Sequence, residues 1–279
     1  MRILIAGCGY VGTELATVLA AEGHHVWGLR RNGVVLPRGA ESVQADVSKP
    51  ETLTMLPAGL DALVYAISAG GYDAARYRAA YVEGLQNLLD ALMVRGQPIR
   101  RVVFVSSTGV YAQEGGAWVD ESSPAEQKHF SGAALLEGER LVQSCSYPST
   151  VVRLGGIYGP GRTRLIDSVR DGSAKMPAEA SYLNLIHRDD CAGIIRHVLR
   201  LPRPEPLYLG VDSKPTDRRD LFKWLAKRLG VPVPPADESP ASARSLRGNK
   251  RCKNARIVKA GYTFRYPTYQ EGYEGLLTT

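Results

Sequence analysis

The 279-residue sequence has few cysteines and no long apolar run. Its four cysteines, Cys8, Cys145, Cys191 and Cys252, lie far apart, and none belongs to a Cys-x-x-Cys pair. That spacing excludes a disulfide scaffold and a zinc ribbon, and no metal site is expected. No stretch approaches the ~20 apolar residues that cross a bilayer, so no membrane partner is expected. The apolar start, Met1–Ala6, is too short for a signal peptide and meets glycine at once. A reducing cytoplasm is the expected compartment. No solenoid-type repeat is present.

What is present reads as an ordinary globule. Hydrophobic residues make up 44% and charged residues 23%, which argues against a disordered or collagen-like chain. At about 150 residues per domain the length suits one large domain or one and a half. A chain of this size buries roughly three quarters of its unfolded surface and needs no staples. The net charge of +7 raises the question of an anionic partner.

Short apolar runs at Arg2–Ala6, His25–Leu29, Val43–Val47, Ala62–Ile67, Arg101–Val105 and Thr150–Leu154 read as buried strands. Helical patterns over Thr13–Glu22, Ala74–Arg95 and Ser131–Gln143 alternate with them. Such alternation implies right-handed crossovers and a parallel sheet covered on both faces. The expected fold class is α/β, a Rossmann-type doubly wound parallel sheet with a smaller C-terminal substrate subdomain. The boundary falls at residues 1–156 and 157–279, with some later segments returning to the main sheet. Past Gly159 the texture changes to turn clusters, at Gly210–Thr216 and Val231–Pro240, around a helix at Leu221–Leu229.

Gly7-Cys8-Gly9-Tyr10-Val11-Gly12 follows the first strand and opens a helix. Alone, G-x-G-x-x-G is a weak signal; between strand and helix it is the context a dinucleotide needs. Gly7 suits the tight turn, Gly9 the approach of a pyrophosphate, and Gly12 close helix packing. The helix N-terminus offers N–H groups to phosphate. An NAD site would place an acidic residue at the end of the second strand, but that strand ends in Arg30-Arg31-Asn32. Two guanidiniums suit a 2′-phosphate, so NADP is the expected cofactor, with NAD as the alternative. The competing reading is a pair of solvated arginines. Asp46, with Val47 beside it, is a candidate for the adenine side, or a plain turn residue.

At this point the sequence resembles the extended short-chain dehydrogenase/reductases, in particular the NAD(P)-dependent epimerase/dehydratase family. Tyr81–Leu89 looks like that family's NVxGTxNLL helix, and Val105–Tyr111 like its SSxxVYG strand end. Arg153–Gly161 matches RxxxxYGPG, and Ile186–Ala192 matches xHVDDxA. The resemblance implies cofactor contacts from Tyr10, Val11, Val47, Ala66, Ser106 and Gly156. It also implies a catalytic tetrad of Asn, Ser or Thr, Tyr and Lys. Here Ser107 takes the Ser place, four residues before Tyr111. Tyr81 fills the Asn slot. His129, Phe130 and Ser131 are the candidates for the Tyr slot, and Ala133, Ala134 and Leu135 for Lys. Three of four members are therefore missing, and the chain looks like an atypical member.

Ser107 is the principal candidate for orienting a substrate carbonyl, with Thr108 beside it on the substrate side. Each could equally cap the strand or hold the nicotinamide amide. Tyr81 is a candidate substitute acid, although a tyrosine near pKa 10 is a poor base and more often a packing ring. Tyr111 and His187 are expected in structural roles, and His129 as an exposed cap. Arg162 and Arg164 follow a Gly-Pro-Gly turn and could hold an anionic substrate or simply be solvated.

The positive charge is uneven. Ser213–Arg265 carries 14 Lys/Arg against 4 Asp/Glu, a net +10, which leaves −3 for the rest. Lys250, Arg251 and Lys253 belong to its densest part, Leu246–Lys259. No nucleic-acid motif accompanies the cluster, so nucleic acid is the weakest partner reading and a solvated face the blandest. Tyr262, Phe264, Tyr266 and Tyr269 nearly alternate and read as a terminal strand. The expected activity is that of an NAD(P)-dependent epimerase/dehydratase or oxidoreductase acting on a small polar molecule, anionic or nucleotide-sugar-like. A non-catalytic NADP(H) sensor or scaffold is the alternative. A homodimer is a candidate arrangement on the resemblance alone.

Overall fold

The computed structural model describes residues 1–32, 36–126, 129–237 and 248–277. Its first part lays down β1 (Arg2–Ala6), α1 (Tyr10–Ala21), β2 (His25–Arg30), β3 (Ala40–Gln44) and β4 (Ala62–Tyr65). It continues through α2 (Ala74–Arg78), a π turn at Ala79–Glu83, α3 (Gly84–Val94), β5 (Arg101–Ser107), β6 (Ala117–Val119), α4 (Phe130–Ser144) and β7 (Ser149–Leu154). The remainder adds β8 (Gly156–Tyr158), α5 (Arg164–Arg170), β9 (Tyr182–Leu183), β10 (Leu185–His187), α6 (Arg188–Arg200) and β11 (Leu207–Gly210). Last come β12 (Thr216–Asp217), α7 (Arg218–Leu229), β13 (Lys250–Cys252), α8 (Ala255–Lys259) and α9 (Tyr269–Leu277).

Seven strands form one parallel sheet in the order β11-β7-β5-β4-β1-β2-β3. The apolar runs become central strands because helices cover both faces. On one face α1 and α6 bury Leu15, Leu19, Ile194, Ile195 and Val198 against Ile3, Ile5 and Val152. On the other, α3 and α4 bring Leu85, Leu88, Leu92 and Val142 onto Leu4, Leu63, Phe104 and Val151. A separate cluster of Ile166, Val169, Leu221, Phe222, Leu225 and Tyr273 holds α5, α7 and α9 together. No helix among the described residues is long and apolar enough to cross a membrane.

The strands expected from the sequence are present, with three differences. The third lies at Ala40–Gln44 rather than Val43–Val47, because it is a half-exposed edge with no apolar run to mark it. The long 74–95 pattern is broken by the π turn. Tyr262–Tyr269 is no strand: residues 262–268 form an irregular strap, and Tyr269 opens α9. Beyond residue 156, α6 packs on α1 and β11 extends the main sheet. The end of the Val231–Pro240 loop and Arg247 fall outside the described residues.

Candidate functional site

β1 and β4 are neighbours whose following segments diverge, α1 leading to one side and the 66–73 loop to the other. Such a switch point leaves a crevice outside the carboxyl ends of the strands. A cavity of about 560 Å³ occupies it, lined by Gly7, Gly9, Arg30, Arg31, Asp46, Val47 and Ala66, all expected from the sequence. That volume is ordinary for a ligand cleft. A shallower recess continues past Arg31 and Asp46 to Lys49 and Thr52.

Two glycines have steric reasons. Gly7 has φ +95°, and a Cβ there would sit 2.6 Å from the Ala66 backbone. A Cβ on Gly12 would fall 2.3 Å from the Gly7 carbonyl oxygen. Above Gly9 there is open space, so a ligand can approach its backbone. Gly9 is the N-cap of α1 and no side chain caps the helix, so its first-turn N–H groups are not occupied by a side chain. Tyr10 and Val11 belong to that turn. The Tyr10 hydroxyl donates to the Pro160 carbonyl at 2.9 Å, and the Arg162 guanidinium lies 4.1 Å from its ring centroid. Arg162 is thus tied to the α1 side of the cleft, while Arg164 begins α5 and is exposed.

Asp46 accepts the Ser48 amide at 3.0 Å and the Ser48 hydroxyl at 2.7 Å. Burial works against its carboxylate, but these bonds, with Arg31 and Lys49 nearby, outweigh it and hold the pKa below the usual value. Cys8 also lines the cavity, and burial pushes its thiol up to about 11. Arg76, in the first turn of α2, belongs to no motif of the sequence. It reaches the same cavity and pairs with Asp73 at 3.1 Å. A cation just after a Ser-Ala-Gly-Gly turn at a central strand end was the signal for it.

The other expected residues lie at the ends of β5 and β7 and in the adjoining helices. Ser107 ends β5, and its Oγ accepts the Gly109 N–H at 3.0 Å. Thr108 is buried in the following 3₁₀ turn. Gly156 opens β8 and donates its N–H to the Asn184 carbonyl at 2.7 Å. Ser106 is buried, and its hydroxyl donates to Glu139 at 2.6 Å. Glu139 takes two bonds from Arg153, at 2.9 and 2.6 Å, and Arg153 donates to the Tyr111 hydroxyl at 2.7 Å. A buried charge network therefore supports the carboxyl ends of β5 and β7. Tyr81 lies in the π turn, half-buried between two apolar clusters. Burial and Tyr77 push its pKa up to about 12 against the opposing Ala69 amide. A phenol so raised stays protonated at neutral pH and can donate but not accept a proton.

His129 is the exposed N-cap of α4, its side chain accepting the Ser131 N–H. Its ring packs with Tyr72 and Phe130, and Phe130 meets Tyr77 at 5.4 Å between centroids. Gln127 and Lys128 lie outside the described residues. His187 caps α6 by accepting the Asp189 N–H at 3.2 Å. Among the described residues no group of three or more His, Cys, Asp and Glu side chains could hold a metal ion.

A family model described as the NAD dependent epimerase/dehydratase family matches residues 3–206. Protein YeeZ of Escherichia coli strain K12 is 27% identical over 277 residues, covering 95% of this chain and 96% of that protein. A solved structure from Methylobacillus flagellatus, assigned as an NAD-dependent epimerase/dehydratase, has 43% identity and a TM-score of 0.84, over 99% of this chain and 97% of that one. Human epimerase family protein SDR39U1, solved with NADPH, shares the fold over the full length of both chains at 21% identity and a TM-score of 0.82.

Proposed function

The chain belongs to the NAD dependent epimerase/dehydratase family, and from that premise we propose that it binds NADP and uses it on a small polar, anionic substrate. The observation that carries this reading is the cavity over Gly7 and Gly9, with Arg30 and Arg31 at the end of β2 where an NAD site would want a carboxylate. Gly9, Tyr10, Val11 and Gly12 would hold the pyrophosphate. Arg30 and Arg31 take the 2′-phosphate by charge-assisted bonds. Asp46, Val47 and Ala66 would hold the adenosine side, and Ser106 and Gly156 the nicotinamide side. NADPH bound to human SDR39U1 and the nicotinamide cofactors in related folds support a dinucleotide here.

The bound dinucleotide supplies hydride. This chain's own residues position the acceptor: Ser107 orients a substrate oxygen, Thr108, Arg162 and Arg164 lie along the substrate path, and Tyr81 is a proton donor. Residues 1–156 hold the cofactor, and 157–279 cover the substrate while lending α6 and β11 to the main sheet.

Calorimetric titration tests the cofactor reading. NADPH should bind at least tenfold tighter than NADH, and Arg30→Ala with Arg31→Ala should abolish that preference. Equal binding of the two by the natural chain would refute it. A Ser107→Ala variant should keep NADPH affinity and lose NADPH oxidation by carbonyl substrates.

A second reading is a non-catalytic NADP(H) sensor that signals through a partner. It is favoured by the start of α4, where Phe130 and its aromatic neighbours pack and no Tyr-x-x-x-Lys pair exists. Cofactor binding with no turnover over a broad carbonyl panel would select it.

A further inference from the structure

Among the described residues, three arginines line the cleft against one carboxylate, Asp46. Arg30 and Arg31 end β2, on one side of β1, while Arg76 follows β4, on the other. Asp73 sets the position of Arg76. It is the N-cap of α2, and its carboxylate accepts the Arg76 N–H at 2.9 Å, which fixes the first turn. Side chains of a helix lean toward its N-terminus, so the guanidinium falls back over the 66–73 loop. There Nη1 donates to the Gly70 carbonyl at 3.4 Å, and Nε meets Asp73 Oδ2 at 3.1 Å. Gly71 leaves room for this path, since a Cβ on that residue would strike the guanidinium.

Arg31 arrives at the same loop from across the cleft. Its Nη2 lies 3.9 Å from where a Cβ on Gly70 would stand. Two guanidiniums from opposite walls therefore converge on one glycine of the cavity lining. Like charges so placed repel, and the first turn of a helix gives a cation no help. The carboxylate of the lining does not offset them fully, because Asp46 already accepts the amide and the hydroxyl of Ser48. The 3.4 Å contact of Arg76 with Gly70 is longer than an ordinary N–H···O bond, so an anion can displace it. A phosphate monoester, with three terminal oxygens, suits two planar forks that each donate in pairs.

We propose that Arg76 is a cofactor-binding cation that, with Arg31, holds the 2′-phosphate of NADP from both sides of β1. This rests on the reading of the cleft as an NADP site and deepens it. Preference for the phosphorylated cofactor is shared between the end of β2 and the start of α2, and does not belong to Arg30 and Arg31 alone. Asp73 is then a positioning residue, holding Arg76 by its backbone and by its guanidinium at once.

The test is calorimetric titration of the natural chain, Arg76→Met, Arg76→Lys and Arg78→Met with NADPH, NADH, 2′,5′-ADP and 5′-AMP. Arg78 belongs to the same helix, but it pairs with Glu83 and Glu137 and lines neither recess, so its substitution controls for the loss of a charge from α2. Arg76→Met should weaken NADPH and 2′,5′-ADP by roughly tenfold, the loss of one charge-assisted contact, and leave NADH and 5′-AMP within about twofold. Arg76→Lys keeps the charge without the fork and should lose less. Arg78→Met should bind all four as the natural chain does. NADPH affinity unchanged in Arg76→Met, or NADPH and NADH weakened alike, would overturn the role of Arg76 while the natural chain's own preference stands. Equal binding of NADPH and NADH by the natural chain would instead refute the NADP reading, and this proposal with it.

Discussion

Arg153 and Glu139 meet where neither can be hydrated, so each depends on the other. Removing one partner of a buried pair costs about 3–5 kcal/mol, whereas replacing both with apolar residues can be nearly neutral. Arg153→Met should therefore lower stability in urea by about 3–5 kcal/mol, and Arg153→Met with Glu139→Leu should recover much of the loss. Equal losses in the single and double variants would contradict this. Asp212 is the opposite case. It is 1% exposed; Oδ1 accepts the Lys214 N–H at 3.0 Å, while Oδ2 has no partner among the described residues. Burial first, then Glu271 and Asp190, push its pKa up to about 8. The folded chain keeps a proton that the unfolded chain, with a carboxyl near 3.9, has released. Its contribution to stability is thus whole below about pH 4 and is lost as pH rises to about 8. Asp212→Asn should flatten that decline; an unchanged pH profile would count against it. At this scale the fingerprint glycines and Arg30-Arg31 were legible, because their chemistry is local. The engagement of Ser106 with Glu139 was not, since the partner is 33 residues away.

Among the elements, α6 shows what an apolar-run reading misses. Its buried residues Cys191, Ile194, Ile195, Val198 and Leu199 follow helical spacing, with His187 at the cap and acidic residues in the first turn. That pattern is present in the sequence, where the Ile186–Ala192 motif overlies its first turn. The strap over residues 262–268 failed for another reason. Near-alternating aromatics suggest a strand, yet among the described residues no strand pairs with them. Asp190 holds the segment instead, accepting the Tyr262 hydroxyl at 2.7 Å and the N–H groups of Arg265 and Tyr266 at 2.8 and 2.9 Å. Such donors give a charged acceptor about 1.5–3 kcal/mol each at best. Asp190→Ala should cost at least ~3 kcal/mol and open new protease cuts between residues 261 and 268. An unchanged digestion pattern would argue against the strap. The π turn left no mark in the 74–95 pattern, because both its flanks keep helical spacing.

For the molecule as a whole, binding and stability are linked. A ligand at a hundred times its dissociation constant adds about 2.7 kcal/mol. NADPH at that excess should raise the unfolding midpoint by at least ~5 °C, and by less when Arg30 and Arg31 are alanine. No shift at saturation would be inconsistent with a pre-formed site. Five of the sheet's seven strands are fed by apolar runs, while β3 is a half-exposed edge and β11 lies in the part that reads as loop-rich. That interleaving reaches into synthesis. A ribosome that has released residues 1–156 has delivered β1–β7 and α1, but not the helix and strand that cover the α1 face and the β7 edge. At ~5–20 residues per second, the 54 residues that complete β11 take several seconds to make. During that interval the nascent chain presents an apolar face and an unpaired strand edge. Ribosome-arrested chains ending near residue 160 should be far more protease-sensitive than chains long enough to have released β11.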